Sequence, residues 1–357
     1  AGWFAIGCTC LVDALSRLKL QCPESKPECG CNVMETTDGL IKAFLLDGKG
    51  GGKILDWNGI RHWLPEQGAL WVHLDFTNTE AQHWLMHESA LDEIVAEALI
   101  ADETRPRCDF IADGALVSLR GVNNNPGADP EDMVSLRIFA DGQRVISTRR
   151  RKLLTIKDIA EALESGQGPR SVGELIAEFA DRMVERMSIV ISELDDRIDE
   201  LEEAVLSGAG RELQHNLLDL RQEMLKLRRY ISPQREALSR LHTSKNAWLS
   251  DNDRLLIREA NDKVMRYLED LDSARDRAGV TQEALGNRLA EQMNSRMYVL
   301  SLVAGLFLPL GFLTGLLGIN VGGIPLAEDP DGFFEIVIIL IIVVAIQVAI
   351  FMRKKWF

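Results

Sequence analysis

Leu306-Phe307-Leu308-Pro309-Leu310-Gly311-Phe312-Leu313-Thr314-Gly315-Leu316-Leu317-Gly318-Ile319-Asn320 closes an apolar run that begins at Val299. The 19 residues from Val299 to Leu317 carry no formal charge, which is the length a helix needs to cross a hydrocarbon core. A second apolar run follows from Phe333 to Met352, and its one acid, Glu335, sits at the edge. The reading is a membrane protein with both spans at the C-terminal end, at 299–320 and 333–352. Everything before them is a soluble domain and the stalk that leads to the spans.

The chain has 357 residues and a formal net charge of -14. An acidic balance argues against a nucleic-acid partner, because phosphate contacts need clustered Lys and Arg. The sequence holds no C2H2, Walker A, HExxH or GxSxG pattern, so nothing points to an enzyme or to a bound cofactor. Lys and Arg near the spans set the orientation. Arg288 and Arg296 precede the first span, and Arg353, Lys354 and Lys355 follow the second. The segment 321–332 between them has Glu328, Asp329 and Asp331 and no Lys or Arg. Both termini are therefore expected in the cytoplasm and the acidic loop outside.

Five of the six cysteines, Cys8, Cys10, Cys22, Cys29 and Cys31, fall in the first 31 residues. Two CxC pairs could hold a soft metal. The alternative is that 1–33 is a leader or tag outside the fold, because the composition changes at Met34-Glu35-Thr36-Thr37.

Residues 34–165 read as a cytoplasmic α/β domain. Ile41–Leu46 is a strand, and Asp47-Gly48 with Gly50-Gly51-Gly52 reads as a hairpin turn rather than a phosphate loop. Leu70 to Phe76 alternates as a strand. Thr79–Glu88 and Leu91–Ala101 read as helices. Asp109–Val122 reads as one strand, and Met133–Thr148 as a hairpin folded at Asp141-Gly142. His83 and His87 stand at i, i+4, a spacing that suits zinc, but no third ligand is evident and surface histidines remain the alternative. Thr104-Arg105-Pro106-Arg107 puts two cations around a proline, either as an anion contact or to pair with acids across a subunit interface.

Residues 166–249 read as antiparallel helices, Leu175–Leu206 and Leu213–Leu241, with a left-handed cap at Gly208-Ala209-Gly210. Glu193, Asp195, Asp196, Asp199, Glu200, Glu202 and Glu203 crowd the first helix. They form either a solvated face or an acidic fringe that concentrates divalent cations. Ser250-Asp251-Asn252-Asp253 opens the longest helix with a capping-box variant, and no proline follows until Pro309. Ile257, Ala260, Val264, Tyr267, Leu271, Ala274, Ala278 and Leu285 recur in steps of three and four, a bundle seam. The stalk, 250–298, thus continues into the first span.

Two spans per chain are too few to enclose a channel, so several copies must form a ring. Met297, Leu300, Ala304, Leu308, Gly311 and Gly315 share one face of the first span and suit the inner wall. Gly311 and Gly315 form a GxxxG pair that permits close helix approach. The second span, uniformly Ile and Val around Gln347, suits the lipid-facing ring. The wall offers no Asp, Glu, His or Cys at membrane depth, so a stripped divalent ion has no ligands there. A hydrated cation could instead meet the Asn320 side chain and backbone carbonyls at Gly318 and Ile319, at the helix end whose dipole favours cations. The alternative for Asn320 is a plain helix cap.

Gly318-Ile319-Asn320 resembles the Gly-Met-Asn signature of the CorA superfamily of divalent-cation transporters. The likeness extends to Phe307-Leu308-Pro309, the long stalk and the terminus Arg353-Lys354-Lys355-Trp356-Phe357. Glu103-Thr104-Arg105-Pro106-Arg107, Ser147-Thr148-Arg149, Arg228-Arg229-Tyr230, Pro233-Gln234-Arg235, Phe312-Leu313-Thr314-Gly315-Leu316 and the run from Gly318 to Pro325 look like its ZntB zinc-transport branch. The resemblance covers about residues 40–357. It implies an α+β protein, a funnel-shaped homopentamer in a bacterial inner membrane. Counting back from Gly318, it also implies that Glu283 rings the cytoplasmic pore; a surface glutamate is the alternative.

Ile319 in place of Met, and Gly322-Gly323-Ile324-Pro325 in the loop, favour zinc over magnesium without supplying a zinc ligand. The expected function is passage of hydrated Zn2+, as uptake coupled to the proton gradient. The partners are then other copies of the chain, membrane lipid, divalent cations and protons. Zinc efflux, a magnesium or broad divalent channel gated by cytoplasmic metal, and a membrane-tethered signalling coiled coil are the alternatives.

Overall fold

The computed structural model describes residues 38–207, 212–319 and 329–353. Five expectations lie outside the described residues: the cysteine-rich leader, the cap at Gly208-Ala209-Gly210, Asn320, the outer loop to 328, and the last four residues.

The soluble domain is built on one seven-stranded sheet. Leu40–Leu46 (β1) and Gly52–Ile54 (β2) form its first hairpin. At the turn the Asp47 carboxylate accepts from the backbone N–H groups of Lys49 and Gly51, at 2.7 and 2.9 Å. The glycine run is thus a turn tied down by an aspartate. A short helix, Trp57–Arg61 (α1), follows, then Leu70–Asp75 (β3), Thr79–His83 (α2, widened into a π turn over Trp84–Glu88) and Glu93–Ile100 (α3). Asn78 and Asp92 cap α2 and α3 through their side chains.

The remaining strands are Arg107–Ile111 (β4), Gly114–Gly121 (β5), Val134–Ala140 (β6) and Arg144–Arg149 (β7). The order is β2-β1-β3-β7-β6-β5-β4, and every neighbouring pair is antiparallel except β3 with β7. The segment Asp109–Val122, expected as one strand, is a hairpin instead. Ala112 takes a positive φ of 50°, and the chain reverses at Ala112-Asp113. The signal was present, because Asp113-Gly114 is a strong turn pair. The hairpin between β6 and β7 falls at Asp141-Gly142 as the pattern predicts, with Gly142 at φ 84°.

Alternation along the strands feeds two cores. Trp71, Val117, Leu119, Leu136 and Ile138 face one way; Leu70, Val72, Leu74, Leu116, Phe139 and Ile146 face the other. The second face is covered by α1, α2 and α3, through Trp57, Ile60, Ala81, Leu85, Val95 and Leu99. The first is covered by Leu154–Glu164 (α4), Val172–Ser207 (α5) and Glu212–His242 (α6), and Asp251–Leu317 (α7) packs in turn on α5 and α6. Neither α1 nor α4 is foreseen by the sequence pattern. Trp71 joins sheet to helices: it stacks on Phe44 at 5.7 Å and meets the Phe179 ring of α5 edge-on at 5.6 Å. Close approach at the foot of α5 needs Gly173, where a Cβ would lie 2.7 Å from the Trp248 carbonyl.

Cys108, the one cysteine in the body, is fully buried, and burial pushes its thiol up to about 12. A core thiol of this kind is chemically inert. His73 is buried beside Trp71. Its Nδ1 lies 2.8 Å from Ser147 Oγ, which also accepts from Trp71 Nε1 at 2.9 Å. Burial, helped by the positive charge of Arg149, holds its pKa well below the ordinary histidine value.

The fold therefore keeps His73 neutral, while the unfolded chain takes a proton near pH 6.5. The stability is intact above that value and is lost as pH falls below it. Thermal unfolding of the detergent-solubilised chain should show Tm falling between about pH 7.5 and 5.5. His73→Gln should show a shallower fall.

Candidate pore and its cytoplasmic stalk

The stalk is α7, a single helix of 67 residues, about 100 Å long at 1.5 Å per residue. Its start is fixed by a full capping box. Ser250 Oγ accepts from the Asp253 N–H at 3.2 Å, and Asp253 accepts from the Ser250 N–H at 2.9 Å. Its buried seam runs through Ile257, Ala260, Val264, Leu268, Leu271, Ala274, Ala278, Thr281 and Leu285. The seam is the one the heptad-like spacing predicts, with one correction. Leu268 takes the inward position and Tyr267 is half-buried beside it. The i+4 step brings Leu268 back over Val264, and the bulkier ring lies at the flank.

Both α5 and α6 pack along this seam, and charges staple them to it. Arg277 of α7 reaches across to α5, donating to Asp195 at 2.9 Å, to Glu202 at 2.8 Å, and to Asp199. These carboxylates raise its pKa further above the ordinary arginine value, Glu202 most and Asp199 next. Lys263 bridges Asp181 and Glu185 of α5, both at 2.9 Å, and its pKa is likewise raised. Arg228 of α6 grips Asp272 of α7 with two bonds of 2.8 and 3.2 Å. The acidic crowd on α5 is therefore two populations. Asp195, Asp199 and Glu202 are spent on Arg277. Glu193, Asp196, Glu200 and Glu203 form an exposed stripe in steps of three and four.

Past Leu285 no residue of α7 is buried. Glu283 is exposed and lies two positions from both Thr281 and Leu285. At about 100° per residue it therefore stands roughly 160° away from the seam. Among the described residues, the apolar end of α7 and Gly332–Arg353 (α8) are the two helices long and apolar enough to cross a membrane. They pack on each other through a stripe of half-buried leucines on α7: Leu302, Leu306, Leu310, Leu313 and Leu317. A Cβ on Gly305, beside that stripe, would lie 3.2 Å from the Phe351 ring of α8.

Met297, Leu300, Ala304, Leu308, Gly311 and Gly315 all remain exposed. Helical geometry puts them roughly 160° from the leucine stripe, so α8 covers none of them. Space beside Gly311 and Gly315 is open, with nothing within 4 Å of an added Cβ. Pro309 sits within the unbroken helix, and Thr314 Oγ1 donates back to the Leu310 carbonyl at 3.0 Å. Gly318 and Ile319 follow directly after the helix.

The other candidates do not assemble into metal sites. The His83 and His87 rings lie with centroids 4.9 Å apart and planes tilted by 59°. The nearby Glu88, 3.4 Å from His83, is also held by Arg61 at 2.7 Å. Among the described residues no three His, Cys, Asp or Glu side chains gather as a metal site.

A sheet domain whose helical stalk runs unbroken into the first of two C-terminal spans is the frame of a two-span membrane transporter. The chain belongs to the CorA-like Mg2+ transporter protein family, which matches residues 66–354. As a member it is a divalent cation transporter, and the superfamily resemblance carried by its motifs holds. It is 43% identical over 322 residues to the divalent cation transporter CmaX of Pseudomonas aeruginosa, covering 89% of this chain and 97% of that one. The zinc transport protein ZntB of Yersinia enterocolitica is 35% identical over 317 residues, covering 88% and 95%. The solved structure of the full-length CmaX protein superposes with a TM-score of 0.79, over 89% of this chain and 98% of that one.

Arg277→Ala should lower bundle stability by roughly 1–2 kcal/mol, the scale of a few partly exposed pairs acting together. The deficit should shrink in molar salt, because screening already weakens the native pairs. Urea unfolding of wild type and variant at low and high salt checks both.

Proposed function

We propose that copies of this chain assemble as a pentamer around α7 and pass hydrated Zn2+ through the ring, as uptake driven with the proton gradient. The observation that carries this reading is the stripe from Met297 to Gly315. It is apolar or small, lies on the face of the span that α8 leaves uncovered, and is continuous with a rigid cytoplasmic stalk. A face of this kind suits the wall of a ring. Gly311 and Gly315 then let neighbouring α7 helices approach near the outer end. Gly318, Ile319 and Asn320 form the mouth, offering carbonyl and amide oxygens to a cation that keeps its water shell. Glu283 and the exposed stripe of Glu193, Asp196, Glu200 and Glu203 add negative charge on the cytoplasmic side, which raises the local cation concentration. Both termini are cytoplasmic in this arrangement, and the membrane is a bacterial inner membrane.

Zinc as cargo is supported by the Ile319 substitution, the Gly-Gly-Ile-Pro loop sequence and the relatives named as zinc transport proteins. A second reading, a broad divalent channel, is favoured by the higher identity to a relative named only as a divalent cation transporter. It also fits a wall without zinc ligands. Flux into liposomes holding a zinc-sensitive dye, with and without an inward proton gradient and with Mg2+ in parallel, separates the two. Zinc entry that rises with the gradient supports the first. Gradient-independent entry of both ions supports the second.

Three variants test the pore. Asn320→Ala should cut zinc flux at least tenfold or change the metal preference; unchanged flux and preference would remove the mouth from 318–320. A cysteine at Leu308 should react with a small water-soluble thiol reagent and block flux. A cysteine at Leu306, packed towards α8, should not. Equal reactivity at the two positions would overturn the pore face.

A further inference from the structure

A cleft of about 420 Å3 opens at the end of the sheet, on the face that carries α3. Its walls come from the loop after α3, from β5 and β6, from the segment after β7, and from α6. Six arginines line it, Arg105, Arg120, Arg137, Arg150, Arg151 and Arg229, against three carboxylates, Asp102, Glu103 and Asp132. Two of those acids are already paired, Asp102 with Arg150 at 3.4 Å and Asp132 with Arg151.

Arg137 is 1% exposed, yet no carboxylate pairs with it among the described residues. Its Nη2 donates to the carbonyls of Ala101 and Asp102, and its guanidinium lies over the Phe76 ring at 4.4 Å. Its Nε and Nη1 have no partner. Arg120, beside it, gives Nη1 to the Met133 carbonyl at 2.7 Å and Nη2 to the Thr104 carbonyl at 2.8 Å, and stacks on Tyr230 at 4.4 Å. Its Nε is also unpartnered. Burial, with the like charge of Arg120, pushes the Arg137 guanidinium down to about 10. A buried cation with free donors and no counter-charge is costly and rare in a finished site.

We propose that this cleft binds a small phosphate-bearing anion of at least two negative charges, such as a diphosphate group. The three orphaned donors belong to forks that match phosphate oxygens. Arg105 and Arg229 stand exposed at the rim without an ion pair among the described residues and would close on the same ligand. The volume exceeds what a halide needs and falls in the range of small-molecule sites. The site lies in the soluble domain, so it gives the transporter a cytoplasmic anion input separate from the metal path.

The test uses the full chain in detergent, with EDTA present so that chelation of metal plays no part. Calorimetric titration with inorganic pyrophosphate should show saturable binding, with a rise in Tm. Arg137→Met should weaken binding at least tenfold while leaving its own Tm equal or higher, since it removes an unpaired buried charge. Arg105→Ala and Arg229→Ala, at exposed positions, should each weaken binding severalfold and keep the same oligomer size. Absence of binding in the wild type would overturn the proposal, as would equal protection by chloride at matched ionic strength. So would variants that fall to smaller oligomers with no response to pyrophosphate. That last result would mean that acids of a neighbouring copy fill the cleft.

Discussion

The structure depends on the continuity of one helix through two solvents. The cytoplasmic two-thirds of α7 buries a seam of small and aliphatic side chains against α5 and α6. Among the described residues its last part meets α8 and offers the rest of its apolar surface outwards. No break separates the two regimes, and even Pro309 lies within the continuous helix. A continuous helix of this length joins the bundle beside the sheet domain to Gly318. That mechanical link requires the bundle to be held firmly at its base.

The base is held in two ways. Apolar burial along the seam supplies most of the adhesion, because it excludes water over the whole contact. Ion pairs set the register: Lys263 on Asp181 and Glu185, Arg228 on Asp272, Arg277 on three carboxylates of α5. Each pair is partly exposed and individually modest. Together they fix which turn of α7 faces which turn of α5. The same pairing occupies three of the seven acids of the cluster on α5 and leaves four, Glu193, Asp196, Glu200 and Glu203, exposed.

The sheet does a different job. Its two faces are both covered, so the helices on one side report to the stalk while those on the other remain free to shape a cleft. Trp71 and Phe179 tie the stalk side to the sheet. On the other side Arg137 is buried with no carboxylate paired to it among the described residues. The contrast between a neutralised bundle and an unneutralised cleft separates scaffold from candidate binding surface.

Much of this was legible in the residues. Two uncharged runs of membrane length, the basic flanks, the capping box at Ser250 and the three-four spacing of Ile257 to Leu285 are local patterns. They report local physics: hydrocarbon thickness, orphan N–H groups and helical period. The Asp113-Gly114 turn signal is equally local, but the flanking residues by themselves read as one strand. The rest needed tertiary structure. That Asp195, Asp199 and Glu202 converge on Arg277 some 75 residues later has no trace in spacing, because charge pairing between helices follows packing and not sequence distance. The same holds for Leu302 to Leu317 facing α8, which alone shows that the stripe from Met297 to Gly315 is the uncovered one. It holds too for Arg120 and Arg137, unremarkable in their strands until the register of β5 and β6 sets them diagonally across from each other on one face. Sequence determines what each segment can bury; only the packed chain decides which of its charges are left without a partner.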